Sequence, residues 1–503
     1  MSPSQIDIES PLAHLTDEQI EAIGEEFENL HSEVFADLGD RDAAYIHGII
    51  GLQRRLALLG RLLLAGVEFK PLWLAGTATL SLAKILENME IGHNVMHGQW
   101  DWMNHPEINS VNWDWDTASS KESWKHSHNY IHHTFTNIRG KDKDLGYEIM
   151  RIDPHQPWNP VYLFQPFYNF LLMLFFEWGV ALHDMDLEAV RAGEKEFSET
   201  KKDLANVWGK ARTQITKDYI AWPLLGAAVV GGFEAARMVL GFDGPLRPGG
   251  RSKSRRLQSG LRRTRDMTRG RSTVMRQDAA TLLKGVLTGS FERGTPAPLR
   301  RLDALRPGGG TKRRQAKRAV SRAWGRTAPQ PVRTDVARPL LAARSAYKKI
   351  VWANFTANIV RNVWSHSIIF CGHFPDQTYT FSQSEVENET KGATYVRQLV
   401  GAANIEGGPL FHVLSGNLSF QVEHHLYPDM PSTRYGEIAP RVREICERYG
   451  LPYNTGPFSQ QLYMVHRTIA RLALPGGKPR SKPGPYHRED FGEHDVAQTP
   501  VAA

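Results

Sequence analysis

The chain has 503 residues, with 61 Lys+Arg against 54 Asp+Glu and a formal charge of +7. Its 2 cysteines, Cys371 and Cys446, exclude a disulfide framework and any four-cysteine zinc or iron–sulfur site, so a reducing compartment is expected. The mean hydropathy of −0.41 averages unlike populations: residues 247–333 hold 24 Lys+Arg and 4 Asp+Glu, which leaves the rest of the chain at net −13.

In chain order, residues 1–15 read as a polar, disordered tail. They lack a basic n-region and an apolar h-region, so no secretory signal is expected. Thr16 and Gln19 form a capping-box pattern that predicts a helix over 17–36. A second helix begins near Arg41 and turns apolar, LALLGRLLLAGVEF (56–69), followed by PLWLAGTATLSLAKIL (71–86). These runs are long enough for a hairpin across a bilayer, with Phe69-Lys70-Pro71 at the far side and Arg61 and Lys70 snorkelling. The bland alternative is a buried soluble hairpin. Three further apolar stretches follow at 161–182, 219–240 and 350–374, with Trp158, Tyr162, Trp178, Tyr219, Trp222 and Trp352 near their ends as interfacial aromatics.

The segment 247–333 shows little periodicity, and its composition predicts a disordered basic insert. A basic arm for nucleic acid or anionic lipid would read the same way. Phe291 and Trp324 are its only rings, so no aromatic interleaving supports that use, and no nucleic-acid partner is expected. Deleting the insert is expected to leave activity intact. Residues 476–503 read as a second disordered tail. The functional domain therefore comes in two parts, 16–246 and 334–475.

Histidine placement carries the chemistry. Seven of the 20 histidines fall between positions 93 and 133. In HNVMH, His93 and His97 stand at i and i+4, on one face of a helix. In HNYIHH, His128 and His132 share a face, while His133 points about 100° away, toward a second metal. In QVEHH, His424 and His425 splay in two directions. A single such pair is more often packing than a ligand set. Three boxes, each at the end of an apolar stretch, are another matter, because seven imidazoles are costly to bury unless their lone pairs are engaged. Imidazole suits iron, copper, nickel and zinc, and so many nitrogens exceed one ion's needs, so two metals are implied.

HxxxH, HxxxHH and QxEHH among hydrophobic spans resemble the membrane-bound fatty acid desaturases, which are non-haem di-iron enzymes. The stretches ENMEIGHNVMHGQWDWMNHPE, HNYIHHTFTN, FCGHFPD and SGNLSFQVEHHLYPDMPSTRY resemble the actinobacterial acyl-CoA desaturases, including the stearoyl-CoA Δ9 type. The likeness covers about residues 14–240 and 345–475 and omits the basic insert. It implies an all-α polytopic membrane protein with about four transmembrane helices and a cytosolic helical cap. Two iron ions would be held by His93, His97, His128, His132, His133, His424 and His425, with His373 added just after the last span. Gln421 opens the third box where the animal stearoyl-CoA enzymes have histidine, and reads as a hydrogen-bond donor beside the ligands. His126 and His412 read as structural histidines, and His366 as a packing residue. Trp100, Trp102, Trp113 and Trp115 are candidates for a substrate-tunnel wall, with core packing as the alternative.

The implied reaction is O2-dependent insertion of a cis double bond into a long-chain acyl-CoA or acyl lipid. The metal centre carries that chemistry and the protein positions the chain. A hydroxylase on the same scaffold is the nearest alternative, and a non-catalytic membrane metal binder a more distant one. Paired ExxH motifs of a soluble bundle oxidase are matched by Glu90–His93 and, in a polar helix, Glu28–His31, about as often as chance allows. No dinucleotide fingerprint, cysteine cluster or HPGG haem motif is present, so electrons from NAD(P)H must arrive through a separate oxidoreductase or ferredoxin. All boxes must meet on one face, taken as the cytoplasmic face of a bacterial plasma membrane. An even number of spans then separates the second and third boxes, so one of the three later apolar stretches does not cross. The resemblance assigns that role to 161–182.

Overall fold

The computed structural model describes residues 14–193, 195–240, 330–375 and 377–477. The expectations for the tails and for nearly all of the basic insert fall outside these residues. The described residues are 71% helix and 2% strand. The chain divides into two compact units, one of Met1–Leu64, Pro71–Ile220 and Trp352–Ala503, the other of Ala65–Lys70 and Ala221–Val351.

In the larger unit, α1 (Asp17–Ala36) starts at the expected capping box. The Thr16 hydroxyl accepts from the Gln19 amide at 3.3 Å, and the Gln19 side chain accepts from the Thr16 amide at 2.9 Å. Its Ile23, Phe27 and Leu30 recur at helical spacing and are fully buried. They pack with Val396 of α2 (Lys391–Val400), Val422 of α3 (Gln421–Leu426) and Val442 of α4 (Tyr435–Tyr449). This core holds the third histidine box from behind. A two-stranded parallel sheet, Asn404–Glu406 with Thr455–Pro457, closes the same region, Ile405 facing Gly456. Asn404 also accepts from the Val422 amide at 2.9 Å and so ties the sheet to α3.

The first box follows the helix Lys70–Leu86, which crosses the helix Asp40–Leu64 at Gly60 and Gly76. A Cβ on Gly60 would lie 2.7 Å from Leu80 Cγ and one on Gly76 3.0 Å from the Gly60 carbonyl, so the crossing needs glycine on both helices. Both leading boxes then depart from α-helical geometry. Glu87–His93 and Lys125–His132 are π-helical.

The described residues of the smaller unit expose apolar side chains. In the helix Trp222–Val239, Leu224, Leu225, Val229 and Phe233 are exposed, as are Leu340 and Leu341. Within this unit Glu234 pairs with Arg237 and Arg338, and Lys349 with Glu68.

The expected count of about four membrane helices is not reproduced. Among the described residues one helix, Phe197–Val239, is long and apolar enough to cross a membrane, with 11% of its apolar window buried. The other apolar stretches fall short for separate reasons. Residues 56–64 belong to a helix whose other residues include Asp40, Arg41, Asp42, Arg54 and Arg55, while 65–69 form a turn, and the helix Lys70–Leu86 has 17 residues. The stretch 161–182 breaks at Phe175 into Gln165–Leu174 and Phe176–His183. The last stretch is absorbed into a 44-residue helix, Gln330–His373, that also carries Lys348, Lys349 and Arg361.

Candidate metal centre

All eight sequence-predicted histidine ligands meet at one place in the larger unit. Their ring nitrogens fall into two groups, each with ligand atoms within 4.8 Å of one another: His93, His97, His128 and His424, and His132, His373 and His425. His133 stands between the groups. Its ring stacks on His425 at 4.6 Å and meets His97 edge-on at 4.7 Å and His424 at 4.9 Å. Splaying of His424 and His425 to different groups follows from their adjacency on α3. The second box keeps its expected geometry: His128 and His132 share a face, their rings stacked at 5.1 Å, and a further group of close ligand atoms joins both to Asp144.

These side chains are buried, His128 partly so. Burial holds His93, His97, His133, His424 and His425 well below the ordinary imidazole pKa, and neighbouring imidazoles add to the effect. Burial lowers His128 as well, against the pull of Asp144. For His132 burial acts in the same sense, but Asp142 and Asp144 outweigh it and raise its pKa. The six rings so lowered are thus neutral and carry a lone pair for a cation near neutral pH.

Buried nitrogens on His97, His128, His132, His373 and His425, and both nitrogens of His133, have no hydrogen-bond partner. Each such orphan costs about 1–3 kcal/mol unless something engages it. The opposite nitrogens are held in place. His128 Nδ1 lies 3.2 Å from Asp144, His132 Nδ1 3.0 Å from Asp142, His424 Nδ1 3.1 Å from the Tyr435 hydroxyl and His425 Nδ1 3.0 Å from Gln398 Oε1. The Tyr435 hydroxyl donates to the Tyr427 carbonyl, so at His424 it accepts, which places the proton on Nδ1 and frees Nε2. A free nitrogen with its partner anchored to a carboxylate or carbonyl oxygen is the arrangement of metal-bound histidine. The donor set fits two first-row transition ions.

Asp142, Asp144, Gln398 and Tyr435 were not read from the sequence. The only trace of the first two is the KDKD run that starts eight residues beyond the second box. Gln421 sits as expected beside a ligand, its Nε2 3.1 Å from His373 Nε2. His412 is satisfied by Ser419 at 2.7 Å, and His366 packs on Phe370 and bonds Asn169 at 3.1 Å. His126 is exposed and stacks on Tyr130.

A cavity of about 60 Å³ opens beside His93 and His128, with Met89, Trp115, Trp124 and Phe176 on its apolar wall. Of the four tryptophans proposed for a tunnel, Trp115 lines it. Trp100 is fully buried in a core with Ile91, Val95 and Tyr45, against which Trp102 and Trp113 pack, so the tunnel assignment of these three is corrected to packing. Trp124, stacked on His128 at 4.7 Å, takes a place at the wall that had not been anticipated.

The fold and the site define a helical protein with a histidine-walled chamber suited to a pair of metal ions. The fatty acid desaturase family model matches residues 279–457. A Mycobacterium tuberculosis protein named NADPH-dependent stearoyl-CoA 9-desaturase is 36% identical over 475 residues, covering 94% of this chain and 84% of the relative. The acyl-lipid (9-3)-desaturase of Borago officinalis is 38% identical over 95 residues, 19% of this chain and 21% of that protein. The sn-1 linoleoyl-lipid 6-desaturase of Synechocystis is 32% identical over 152 residues, 29% of this chain and 41% of that protein. No solved structure matches the chain. The chain belongs to the fatty acid desaturase family, a metal-dependent and membrane-associated family, and is an oxidoreductase of lipid metabolism.

Proposed function

We propose that the protein inserts a cis double bond into a long-chain acyl-CoA, at the Δ9 position of a stearoyl-length chain, using two iron ions and O2. The observation that carries this reading is the convergence of eight imidazoles, six of which have a buried nitrogen with no hydrogen-bond partner among the described residues. His93, His97, His128 and His424 would hold one ion, His132, His373 and His425 the other, and His133 lies within reach of either. Iron bound there supplies the oxidising power to remove hydrogen from an unactivated methylene, which no side chain here can do. Asp142, Asp144, Gln398 and Tyr435 fix the tautomers of their histidines, Gln421 supports His373, and Trp115, Met89 and Phe176 offer the acyl chain an apolar wall.

The relative's printed name supports acyl-CoA as substrate and NADPH as the electron source, and a separate oxidoreductase would deliver the electrons. The broken stretch 161–182 supports an interfacial placement. Its longer helix has 10 residues and extends about 15 Å, half a bilayer's hydrocarbon core. The spans would then be the hairpin 56–86 and the helices ending at Val239 and His373, with the site on the cytoplasmic face of the plasma membrane.

Expression in a desaturase-deficient host supplied with a reductase, followed by gas chromatography of its fatty acids, tests the reading. A new Δ9 olefin and about two irons per chain are expected. A new hydroxyl fatty acid would replace desaturation by hydroxylation, and an iron-free protein would remove the site.

A further inference from the structure

Desaturation consumes protons. The balance is R–CH2–CH2–R′ + O2 + 2 e⁻ + 2 H⁺ → R–CH=CH–R′ + 2 H2O, the electrons coming from the external donor protein. The imidazoles around the site are committed to lone-pair donation, so another group must carry the protons.

Asp184 is placed to do so. It follows the helix Phe176–His183 and is 8% exposed. Two recesses flank it. One is the cavity of about 60 Å³ beside His93 and His128, large enough for a few water molecules. The other is an open pocket of about 800 Å³. Two residues, Asp184 and Ser127, line both. The Ser127 hydroxyl donates to Asp184 Oδ1 at 2.5 Å, and the Ser119 hydroxyl, on the cavity side, donates to Oδ2.

We propose that Asp184, with Ser127 and Ser119, passes protons from the open pocket to the cavity beside the metal-binding imidazoles. The inference rests on the desaturase reading above. In each transfer the carboxylic acid gives its proton to a water or hydroxyl in the cavity, where the proton ends in product water. The carboxylate left behind is reprotonated from the open pocket, with no other bond changed.

The electrostatics agree with this geometry. Burial pushes the Asp184 carboxyl up to about 6, opposed by His183 and the two hydroxyls, and Asp144 adds to the rise. Both protonation states are then accessible near neutral pH. Besides His183 and Asp144, the ionisable groups of the open pocket are Glu122 and His126 from the second-box helix, Lys143 and Asp186, which pair with each other, Lys195 and Asp203, which pair likewise, and Glu199 and Lys202. On the cavity side Glu177 is neutralised by Arg361.

The test begins on the iron-free protein in detergent, by infrared difference titration in H2O and D2O. A protonated-carboxyl band with a midpoint near 6 that shifts on deuterium exchange, and that is missing in Asp184→Asn, is expected. In the iron-loaded enzyme, Asp184→Asn is expected to keep its iron while losing roughly 100-fold in olefin formation, with hydrogen peroxide released, and Asp184→Glu to recover part of the rate. Should Asp184→Asn fail to bind iron, Ser127→Ala is read in the same way, since it keeps the carboxylate and breaks the hydroxyl link. Absence of an exchangeable Asp184 band, or an Asp184→Asn enzyme with wild-type rate and no peroxide, overturns the proposal. A wild-type protein that loads iron and makes no olefin instead overturns the desaturase reading, and leaves the infrared result standing.

Discussion

Asp144 receives His128 on one carboxylate oxygen, at 3.2 Å, and His183 on the other, at 3.0 Å. One buried carboxylate thus links a ring of the metal-binding groups to a histidine that lines the open pocket. His183 is itself pushed up to about 9, burial being outweighed by Asp144, so it is an imidazolium clamped onto its partner.

Asp144→Ala leaves His128 free to rotate and to change tautomer. Loss of such a partner weakens metal affinity or activity by roughly 10–100-fold. Iron content per chain under limiting iron, measured with turnover, checks this, and Asp144→Asn is expected to fall between the variant and wild type.

His133→Ala removes the ring that stands between the two groups and carries two unpartnered nitrogens. Bound iron is expected to fall below two per chain and olefin formation to be abolished. His126→Ala, seven residues earlier and exposed, is expected to bind iron as wild type does. Metal analysis of the two purified variants side by side is the measurement.

Acid is expected to destabilise the iron-free protein. The lowered imidazoles refuse protons that the unfolded chain accepts below its ordinary value of 6.5, so full stability is present above that pH and is lost as pH falls. Each such group contributes about 1.4 kcal/mol per pH unit. His132 acts in the opposite sense, being raised, but five strongly lowered rings outweigh one. A thermal-unfolding series from about pH 7.5 to 5.5 shows a falling Tm, and iron shifts the curve to more acid pH because ions and protons compete for the same lone pairs.

Gly392→Ala tests the scaffold behind the third box. A Cβ there would lie 2.0 Å from the Ile20 carbonyl oxygen of α1, a backbone atom that cannot step aside. A loss of about 2–3 kcal/mol is expected from this overpacking. Chemical denaturation reads it, and the folded fraction should still bind iron normally.

Much of the site was legible because ligand residues are identities in the chain. His93, His97, His424 and His425 fall where the box spacing placed them. The place of His133 between the two groups was not legible, because spacing does not say which distant rings it meets. Asp144 and Tyr435 were equally hidden, since a hydrogen bond to the far side of an imidazole has no spacing rule. For the fold, the capping box gave α1 to the residue. Apolar runs located helices well but judged their reach badly. The stretch 161–182 has the composition of a span, yet its backbone turns at Phe175, φ −117° and ψ 33°.

A π-helical turn amounts to one surplus residue threaded into an α-helix. Excising a single residue from Glu87–His93 or Lys125–His132 would therefore let the backbone relax to its commoner form and keep the helix beyond it in register, while changing which imidazoles within the turn face the site. A shortened chain of this kind could gain local helix stability and lose all capacity for iron. In these two segments, deletions that look benign by sequence identity separate folding from catalysis more sharply than most point substitutions do.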